Sequence, residues 1–504
     1  MSNCNTAACT NITAGFIDLA SYDELEKYLY GCGEALSYFV RTTCKSTWFT
    51  QVPVILQLNS GTPDFGQTWS VKVSRQGDYL LQTWLRVCLP NIQVYSGADP
   101  ALGLRWTRNL MHNLVKEVCF TANDMVVAKF NSIHLDFWAA FTVPAAKQAG
   151  YARMIGDTMA LFDLAAPGAQ LPPAKTNPTT LMPITVGQPQ HTVLYLPLPF
   201  FYSRDTGVSL PTAALPYNEM TIDFEFRNWN ELLIGETATN PSNTEFRRVP
   251  TINNFIPQQA PTLSGVEVWA NYAIVSNDER KRMACAPRDI LIEQAQWIIP
   301  SVYTPAVNPD PRLDIRLSHA IKVLFFAVRN TTFISERSRY VVGSPEMGSI
   351  LNGVPTKFVG QYDTDPLENA TLVYENVNRL AEMDGEYYSN LNPYYHAPNI
   401  PTARGYHSYS YALDFICLDP TGSTNYGKLS HISIIPQATS LAIAANNPGA
   451  GSATTLPLTS AGVEGINTAN GSGVNIRQTY EFALTAVNSN IVRISGGAIG
   501  FPIL

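Results

Sequence analysis

Apolar and polar residues alternate along much of this chain, a pattern that predicts β-strands. The clearest case is residues 220–227, where every second residue is apolar: Met220, Ile222, Phe224 and Phe226. A period of two is typical of a strand with one buried face and one solvated face. Two continuous apolar runs, Tyr79 to Leu89 and Ile321 to Val328, predict strands that are buried on both faces.

Three short stretches carry helical signals instead. The first, at residues 21–30, begins with Ser21 and Glu24 at the spacing of a capping box. The second lies within residues 134–155, where apolar residues recur at helical spacing. The third, at residues 276–285, again begins with a serine and a glutamate at capping-box spacing. We therefore expect a few short helices among many strands.

Shifts in this pattern divide the chain into four parts. Residues 1–47 predict an N-terminal arm that carries the first helix, and residues 48–245 predict a first β domain. Residues 246–264 are polar, rich in Asn and Pro and without periodicity, so they predict a linker. Residues 265–504 predict a second β domain. Domains of this size with many short strands suit sandwiches or jelly rolls, and periodicity alone leaves that choice open.

Long loops are expected in both domains, and loops of such length usually carry contacts or function. They fall at residues 163–192, 342–370, 383–405 and 436–475. Four tyrosines in the third of these loops are the best candidates for an exposed aromatic cluster: Tyr387, Tyr388, Tyr394 and Tyr395.

Charge is scarce for a chain of this length. The 504 residues carry a net charge of −7, and 14% of them are charged, against about 25% in ordinary soluble domains. Because 45% are hydrophobic, we expect much of the surface to be covered by neighbouring subunits. The first 40 residues contain one lysine and no arginine, which argues against a basic tail that packages nucleic acid.

The N-terminus lacks the pattern of a signal peptide, and no apolar run is long enough to span a bilayer, so we expect a cytosolic chain. Its eight cysteines show no regular spacing, and free thiols are expected in a reducing compartment. A disulfide such as Cys32–Cys44 is possible only if an oxidising step follows. The cysteines are residues 4, 9, 32, 44, 88, 119, 285 and 417.

No catalytic, cofactor-binding or metal-binding residue is predicted. Residues 422–428 resemble a phosphate-binding loop, but Leu429 replaces the required hydroxyl and a strand-like run follows where a helix should begin. Asp223 and Glu225 have the alternation of a solvated strand face, which is commoner than a glycosidase carboxylate pair. The histidines, scattered singly, form no metal-binding motif: 112, 134, 191, 319, 396, 407 and 431. Sequons occur at Asn11, Asn330, Asn369 and Asn470, where no glycosylation is expected in the cytosol.

One block carries a family resemblance. Residues 193–229 combine Leu-Pro-Phe-Phe, a Ser-Arg-Asp-x-Gly turn and Leu-Pro-Tyr-Asn-Glu. Further short motifs follow the same order through the chain, at residues 13–20, 48–50, 74–81, 111–115, 422–427 and 500–504. Together they resemble the double jelly-roll major capsid proteins of large icosahedral DNA viruses, and the iridovirus branch most closely. Cys32 departs from this resemblance, since a glycine is expected there.

The resemblance implies an all-β fold of two consecutive eight-stranded jelly rolls with a few short helices and long loops. It implies a structural protein and not an enzyme: homotrimers form pseudo-hexagonal capsomers, which build the icosahedral shell of the virion. It also places the arm near minor capsid proteins and an internal viral membrane, with assembly in the host cytoplasm. The alternative is a carbohydrate-binding or carbohydrate-cleaving β-sandwich protein.

Overall fold

The structure is a computed structural model, and by internal packing the chain forms two units, Met1–Trp48 and Phe49–Leu504. Two of the predicted long loops, at 163–192 and 436–475, lie largely outside the described residues, as does about half of the loop at 342–370. The structure describes residues 6–31, 35–94, 102–158, 170–171, 192–238, 245–248, 250–256, 258–285, 287–332, 335–342, 349–351, 354–356, 364–446 and 478–502.

Two helices form most of the described part of the smaller unit: α1, Thr6–Ala20, and α2, Glu24–Leu29. Helix α1 has no counterpart among the predicted helices. The capping box of α2 is made by Asp23 and Glu26 and not by the predicted pair, Ser21 and Glu24. The Ser21 hydroxyl instead donates to the carbonyl of Asp18 at 3.0 Å, at the end of α1. No residue of α2 is buried.

The larger unit begins with a β-sandwich whose strands occupy the first half of the chain. Its strands are β1 Phe49–Ile55, β2 Gln57–Gly61, β3 Thr68–Lys72, β4 Tyr79–Cys88, β5 Ile92–Val94, β6 Leu102–Trp106, β7 Val115–Ala122, β8 Met125–Asn131, β9 Gln170–Leu171, β10 Val193–Pro197, β11 Met220–Phe226, β12 Leu233–Ala238, β13 Glu245–Arg248, β14 Phe255–Ile256 and β15 Ser264–Val275. Its helices are α3 Leu110–Leu114, α4 Ser132–Thr142 and α5 Ala145–Ile155.

A second sandwich follows after helix α6, Asn277–Cys285. Its strands are β16 Arg288–Trp297, β17 Ser301–Tyr303, β18 Leu313–Asp314, β19 Ala320–Asn330, β20 Ser349–Leu351, β21 Val354–Thr356, β22 Leu367–Tyr374, β23 Val377–Asp384, β24 His407–Ser410, β25 Thr424–Asn425, β26 Ile432–Ala438, β27 Tyr480–Ser495 and β28 Ala498–Gly500. Its helices are α7 Asn392–His396 and α8 Ser440–Asn446, and a π-helix spans Tyr387–Leu391.

Both sandwiches have the same strand order. In the first, the sheets run β1-β15-β4-β10 and β2-β3-β11-β7-β8. In the second, they run β16-β27-β19-β24 and β18-β26-β22-β23. Strand β2 is an additional edge strand beside β3, so each half has eight main strands. When these are numbered from one to eight along the chain, the two sheets of each half have the orders 1-8-3-6 and 2-7-4-5. This is the doubled Greek key of a jelly roll, so the predicted double jelly roll is confirmed.

Strand pairing assigns several segments near the predicted linker to the first half. Strands β13 and β14 lie within or at the edge of residues 246–264 and pair with β12 and β5. Strand β15 begins where the second domain was expected, yet it pairs with β1 on one side and β4 on the other. The alternation in β15 was read correctly as a strand, but its period does not reveal which sheet the strand joins.

Among the described residues of the larger unit, apolar side chains form three large cores and one small core. One large core fills the first sandwich, a second fills the second, and a third lies between them around Phe137, Phe141 and Phe325. The small core lies around Leu81. The run Ile321 to Val328 is buried throughout, as predicted. The run Tyr79 to Leu89 is not, because Gln82 is exposed and Trp84 and Arg86 are half-buried on its outward face.

Candidate functional site

The residues weighed for chemistry do not assemble into a site. On β11, Asp223 accepts from the Thr121 hydroxyl at 3.2 Å, and Glu225 forms an ion pair with Lys116 at 2.5 Å. Both carboxylates thus belong to the polar outer face of the sheet, as expected. Residues 424–425 form strand β25, and strand β26 follows where a phosphate-binding loop would need a helix. Among the residues that the structure describes, no group of three or more His, Cys, Asp or Glu could hold a metal ion.

The histidines that are buried have separate structural partners. The ring of His112 bonds to Asp136 at 2.7 Å, that of His134 to Thr485 at 3.0 Å and that of His407 to Asp365 at 2.8 Å. Each of these hydrogen bonds gives a partner to a ring nitrogen of a buried histidine.

The cysteines described with their side chains are free thiols, as predicted: Cys44, Cys88, Cys119 and Cys417. Burial, together with the hydrogen bond to Glu117, raises the pKa of Cys119 to about 12. Its thiol is therefore protonated at neutral pH and a poor nucleophile. Cys4 and Cys32 lie outside the described residues, so any structural effect of the cysteine at position 32 stays a prediction.

The expected tyrosine cluster is divided between core and surface. Tyr388 is buried and donates to the carbonyl of Ala370 at 3.0 Å, whereas Tyr394 and Tyr395 are 67% and 69% exposed. Residues 387–396 are helical and not the irregular loop that was expected. Among the sequons, Asn330 is buried and its amide donates to Gln478 at 3.2 Å, which leaves no room for a glycan.

The contact between the two sandwiches combines aromatic packing with buried polar groups, and helix α4 lies at its centre. Asn131 caps α4 by accepting from the backbone of His134 at 2.8 Å. The short helix expected before Pro144 is confirmed as α4. A further helix that was not predicted, α5, begins directly after this proline. The rings of Phe137 and Phe141 stack on Phe325 of β19, with centroids 6.0 and 5.2 Å apart.

A buried ion triad crosses the same contact. Arg204, from the Ser-Arg-Asp-x-Gly turn, lies 2.9 Å from Glu293 of β16, and Lys322 of β19 lies 2.5 Å from the other oxygen of that carboxylate. The contact of Arg204 is an ion pair without a well-aligned hydrogen bond. Its guanidinium also donates to the carbonyl of Ile416 and lies 4.3 Å from the ring centre of Trp138. The signature arginine thus ties the first sandwich to the second.

A second polar cluster is centred on Asp136 of α4. Its carboxylate accepts from His112 and Asn109 of the first half at 2.7 and 3.1 Å. It also accepts from Ser338 and Tyr340 of the second half at 2.6 and 3.0 Å. Four donors compensate a fully buried charge, which would otherwise be costly.

The residues of this cluster line part of an open cavity of about 280 Å³. Its wall includes Arg108 and Arg404, both exposed, beside apolar residues of α4 and α5. Gly405 borders it with φ +88°, and a Cβ there would lie 1.9 Å from the carbonyl of Tyr340. A glycine is therefore required for the next residue, Tyr406, to pack on Tyr340 and Phe137.

This arrangement joins the two sandwiches through aromatic and buried polar contacts. The sequence predicted the strands and the turn that supply these groups. It could not pair Arg204 with Glu293 or Asp136 with Ser338, since each pair is separated by 89 or more residues.

Comparison with known proteins defines the class. Residues 37–275 match the family model "Major capsid protein N-terminus", and residues 279–500 match "Large eukaryotic DNA virus major capsid protein". The chain belongs to the family of major capsid proteins of large eukaryotic DNA viruses.

Within that family the similarity is to iridoviruses. The chain is 53% identical over 497 residues to the major capsid protein of Costelytra zealandica iridescent virus, covering 98% of this chain and 99% of the relative. It is 49% identical over 503 residues to that of Invertebrate iridescent virus 3, covering 98% and 100%. It is therefore a structural protein of the virion capsid and not an enzyme. The carbohydrate-protein alternative is not supported.

Solved structures agree on the fold. The "PBCV-1 virus capsid, quasi-atomic model" matches with a TM-score of 0.66 at 19% identity, covering 93% of this chain and 100% of that one. The "Faustovirus major capsid protein" matches with a TM-score of 0.59 at 12% identity, covering 94% and 96%.

Proposed function

We propose that the chain forms homotrimers in which six jelly rolls stand in a ring, giving a pseudo-hexagonal capsomer of the icosahedral shell. The observation that carries this proposal is the strand order 1-8-3-6 and 2-7-4-5, which occurs twice in one chain. Two similar building blocks per chain let three copies tile a ring of six positions. A heterologous contact that closes after three copies forms such a ring.

The domain limits follow the pairing of strands. We infer that the first jelly roll spans residues 49–275 and the second begins at β16, with α6 between them. Pairing of β15 with β1 and β4 supports this, in place of a linker at 246–264.

The N-terminal arm is proposed to contact minor capsid proteins close to an internal viral membrane. Its described residues expose large apolar side chains: Ile12, Phe16, Ile17, Leu19, Tyr28, Leu29, Tyr38 and Phe39. Such a surface favours a protein partner or a membrane interface. Across the described residues, the structure contains no helix that could span a membrane.

Two further proposals concern the setting. The excess of 40 acidic over 33 basic residues supports a capsid wall without direct contact to nucleic acid. Free thiols at Cys88, Cys119 and Cys417 support assembly in the reducing host cytoplasm.

The trimer is tested by light scattering coupled to size exclusion of the purified full chain. Three copies of the 55.4 kDa chain have a mass of about 166 kDa. We expect that mass to persist on dilution and electron micrographs to show a hexagonal outline. A monomer at every concentration would remove the proposed capsomer while leaving the fold and family unchanged.

A further inference from the structure

Among the described residues, the contact between the two sandwiches covers an outward sheet face of the second sandwich but not the equivalent face of the first. In the second sandwich, the outward face of sheet β16-β27-β19-β24 carries a row of adjacent residues across four strands: Trp297, Thr485, Phe325 and Ser408. Helix α4 covers this face, and Phe325 is fully buried beneath Phe137 and Phe141. Helix α4 belongs to the connection between the fifth and sixth strands of the first sandwich.

The corresponding row in the first sandwich, here the tryptophan row, consists of Ile55, Trp269, Trp84 and Pro197. The two indoles stack on each other, with ring centroids 6.2 Å apart and planes 7° from parallel. Both are only partly buried, and Ile55 is 44% exposed. Arg86 and Glu267 form an ion pair beside them, which gives the apolar row a polar rim. Tryptophans inside a polar rim are typical of the centre of a protein interface.

The connection between the fifth and sixth strands of the second sandwich carries a matching surface. It contains the π-helix and α7, which occupy the topological place of α4 and α5. Leu391, Tyr394 and Tyr395 are 49%, 67% and 69% exposed there. The ring of His396 bonds to the carbonyl of Leu413 at 2.8 Å, which brings this residue, 74% exposed, to the end of α7. These four apolar residues form the tyrosine patch: Leu391, Tyr394, Tyr395 and Leu413.

We propose that the tyrosine patch of one copy covers the tryptophan row of a second copy. The contact between copies then repeats the contact within the chain: in each case a helical connection of one sandwich packs on the outward 1-8-3-6 sheet of the next. This inference rests on the proposed homotrimer and assigns the residues of its contact. The interface is heterologous, because row and patch are different surfaces, and it closes into a ring of alternating first and second sandwiches.

The direct test is site-specific photo-crosslinking. Benzoylphenylalanine replaces Trp84 in the full chain, and crosslinked peptides are identified by mass spectrometry. We expect crosslinks from position 84 to peptides within residues 387–413 of another copy. Trimers with crosslinks to residues 1–48, or to position 84 of a second copy, would overturn the assignment while the trimer stands. Trimers without any such crosslink between copies also overturn it. A chain that never trimerises overturns both.

A complementation experiment tests the heterologous geometry. The row variant carries Trp84→Glu and Trp269→Glu, and the patch variant carries Tyr394→Glu and Tyr395→Glu. Each alone is expected to lose at least about tenfold in trimer affinity, as is usual for buried aromatic anchors. Mixed together, they retain one intact interface per pair. Dimers with twice the mass of the 55.4 kDa chain are therefore expected only in the mixture.

Tyr217→Glu is the matched control, since Tyr217 is 77% exposed but belongs to neither surface. It is expected to remain trimeric. Thermal unfolding of all variants checks that each is folded. Folded row variants that trimerise like the control contradict the proposal, as does a mixture that behaves as the sum of its components.

Discussion

At the scale of single residues, the contact between the sandwiches contains buried polar groups from distant parts of the chain. Asp205 of the Ser-Arg-Asp-x-Gly motif accepts from the backbone of Gly207 at 2.6 Å and so forms a turn. The arginine of the same motif, Arg204, contacts Glu293 of the second sandwich. Burial, only partly offset by the charge of Glu293, lowers the pKa of Arg204.

His134 makes the same contact sensitive to pH. Burial, and then the positive charge of Arg204, lower the pKa of His134 to about 3. In the unfolded chain an imidazole titrates near 6.5, so below that pH the unfolded state binds a proton that the folded state excludes. The stability due to neutral His134 is fully present above about pH 6.5. It falls by up to about 1.4 kcal/mol per pH unit between there and about pH 3.

We expect His134→Asn, which keeps a polar group near Thr485, to lessen this pH dependence. Urea unfolding of the purified chain at a series of pH values between 7.5 and 4.5 measures it. His431→Asn, on an exposed histidine, is the control and should retain the wild-type slope. Equal slopes in all three proteins would show that His134 is not the group that titrates.

At the scale of elements, the period of the apolar residues identified the strands but did not show which elements pack together. The alternation of Met220 to Phe226 predicted β11 with the correct buried side. The helical spacing near residue 135 predicted α4 but gave no sign that its aromatic face packs on β19, almost 190 residues later. Amphipathic patterns show that an element has a face to bury, and the tertiary fold supplies what buries it.

Helix α4 should therefore couple the unfolding of the two sandwiches. Phe137 is fully buried and contacts the rings of Phe325, Tyr340 and Tyr406. Phe137→Ala is expected to cost about 3–5 kcal/mol and to open a cavity between the sandwiches. Calorimetry should then show two transitions where the wild type shows one, because each sandwich keeps its own core.

Val126→Ala tests whether any loss of apolar surface in this sandwich has the same effect. Val126 lies on β8, close to α4 in sequence, and is 46% exposed. Its substitution should leave the transition single and shift it little. A Phe137→Ala protein that also unfolds in one transition, with a shift as small as this control, would contradict a coupling role for α4.

At the scale of the whole molecule, duplication is visible in the strand order but not in the sequence. The outward rows of the two sandwiches show why. Trp84 and Trp269 stand where Phe325 and Thr485 stand in the second half, so each position changed its chemistry to suit a different neighbour. Topology depends on which strands pair, and it survives such changes. Short motifs in the sequence identified the family. Comparison of the two halves with each other did not reveal the repeated fold, because the similarity lies in strand order and not in residue type.

The N-terminal arm gives the last prediction, which concerns assembly and not folding. Residues 11–20 and helix α2 contribute no buried side chain, and the apolar cores of the described residues lie within Phe49–Leu504. Deleting residues 1–30 should therefore leave soluble trimers with an unchanged unfolding temperature. Those trimers should assemble poorly into shells, because most of the apolar side chains proposed to contact minor capsid proteins are lost. The measurement is the yield of particles by electron microscopy when the truncated or full chain is expressed with the other virion proteins. Shells of normal yield and size from the truncated chain would reject this role for the arm, and monomers would show that the arm acts earlier, in forming the capsomer itself.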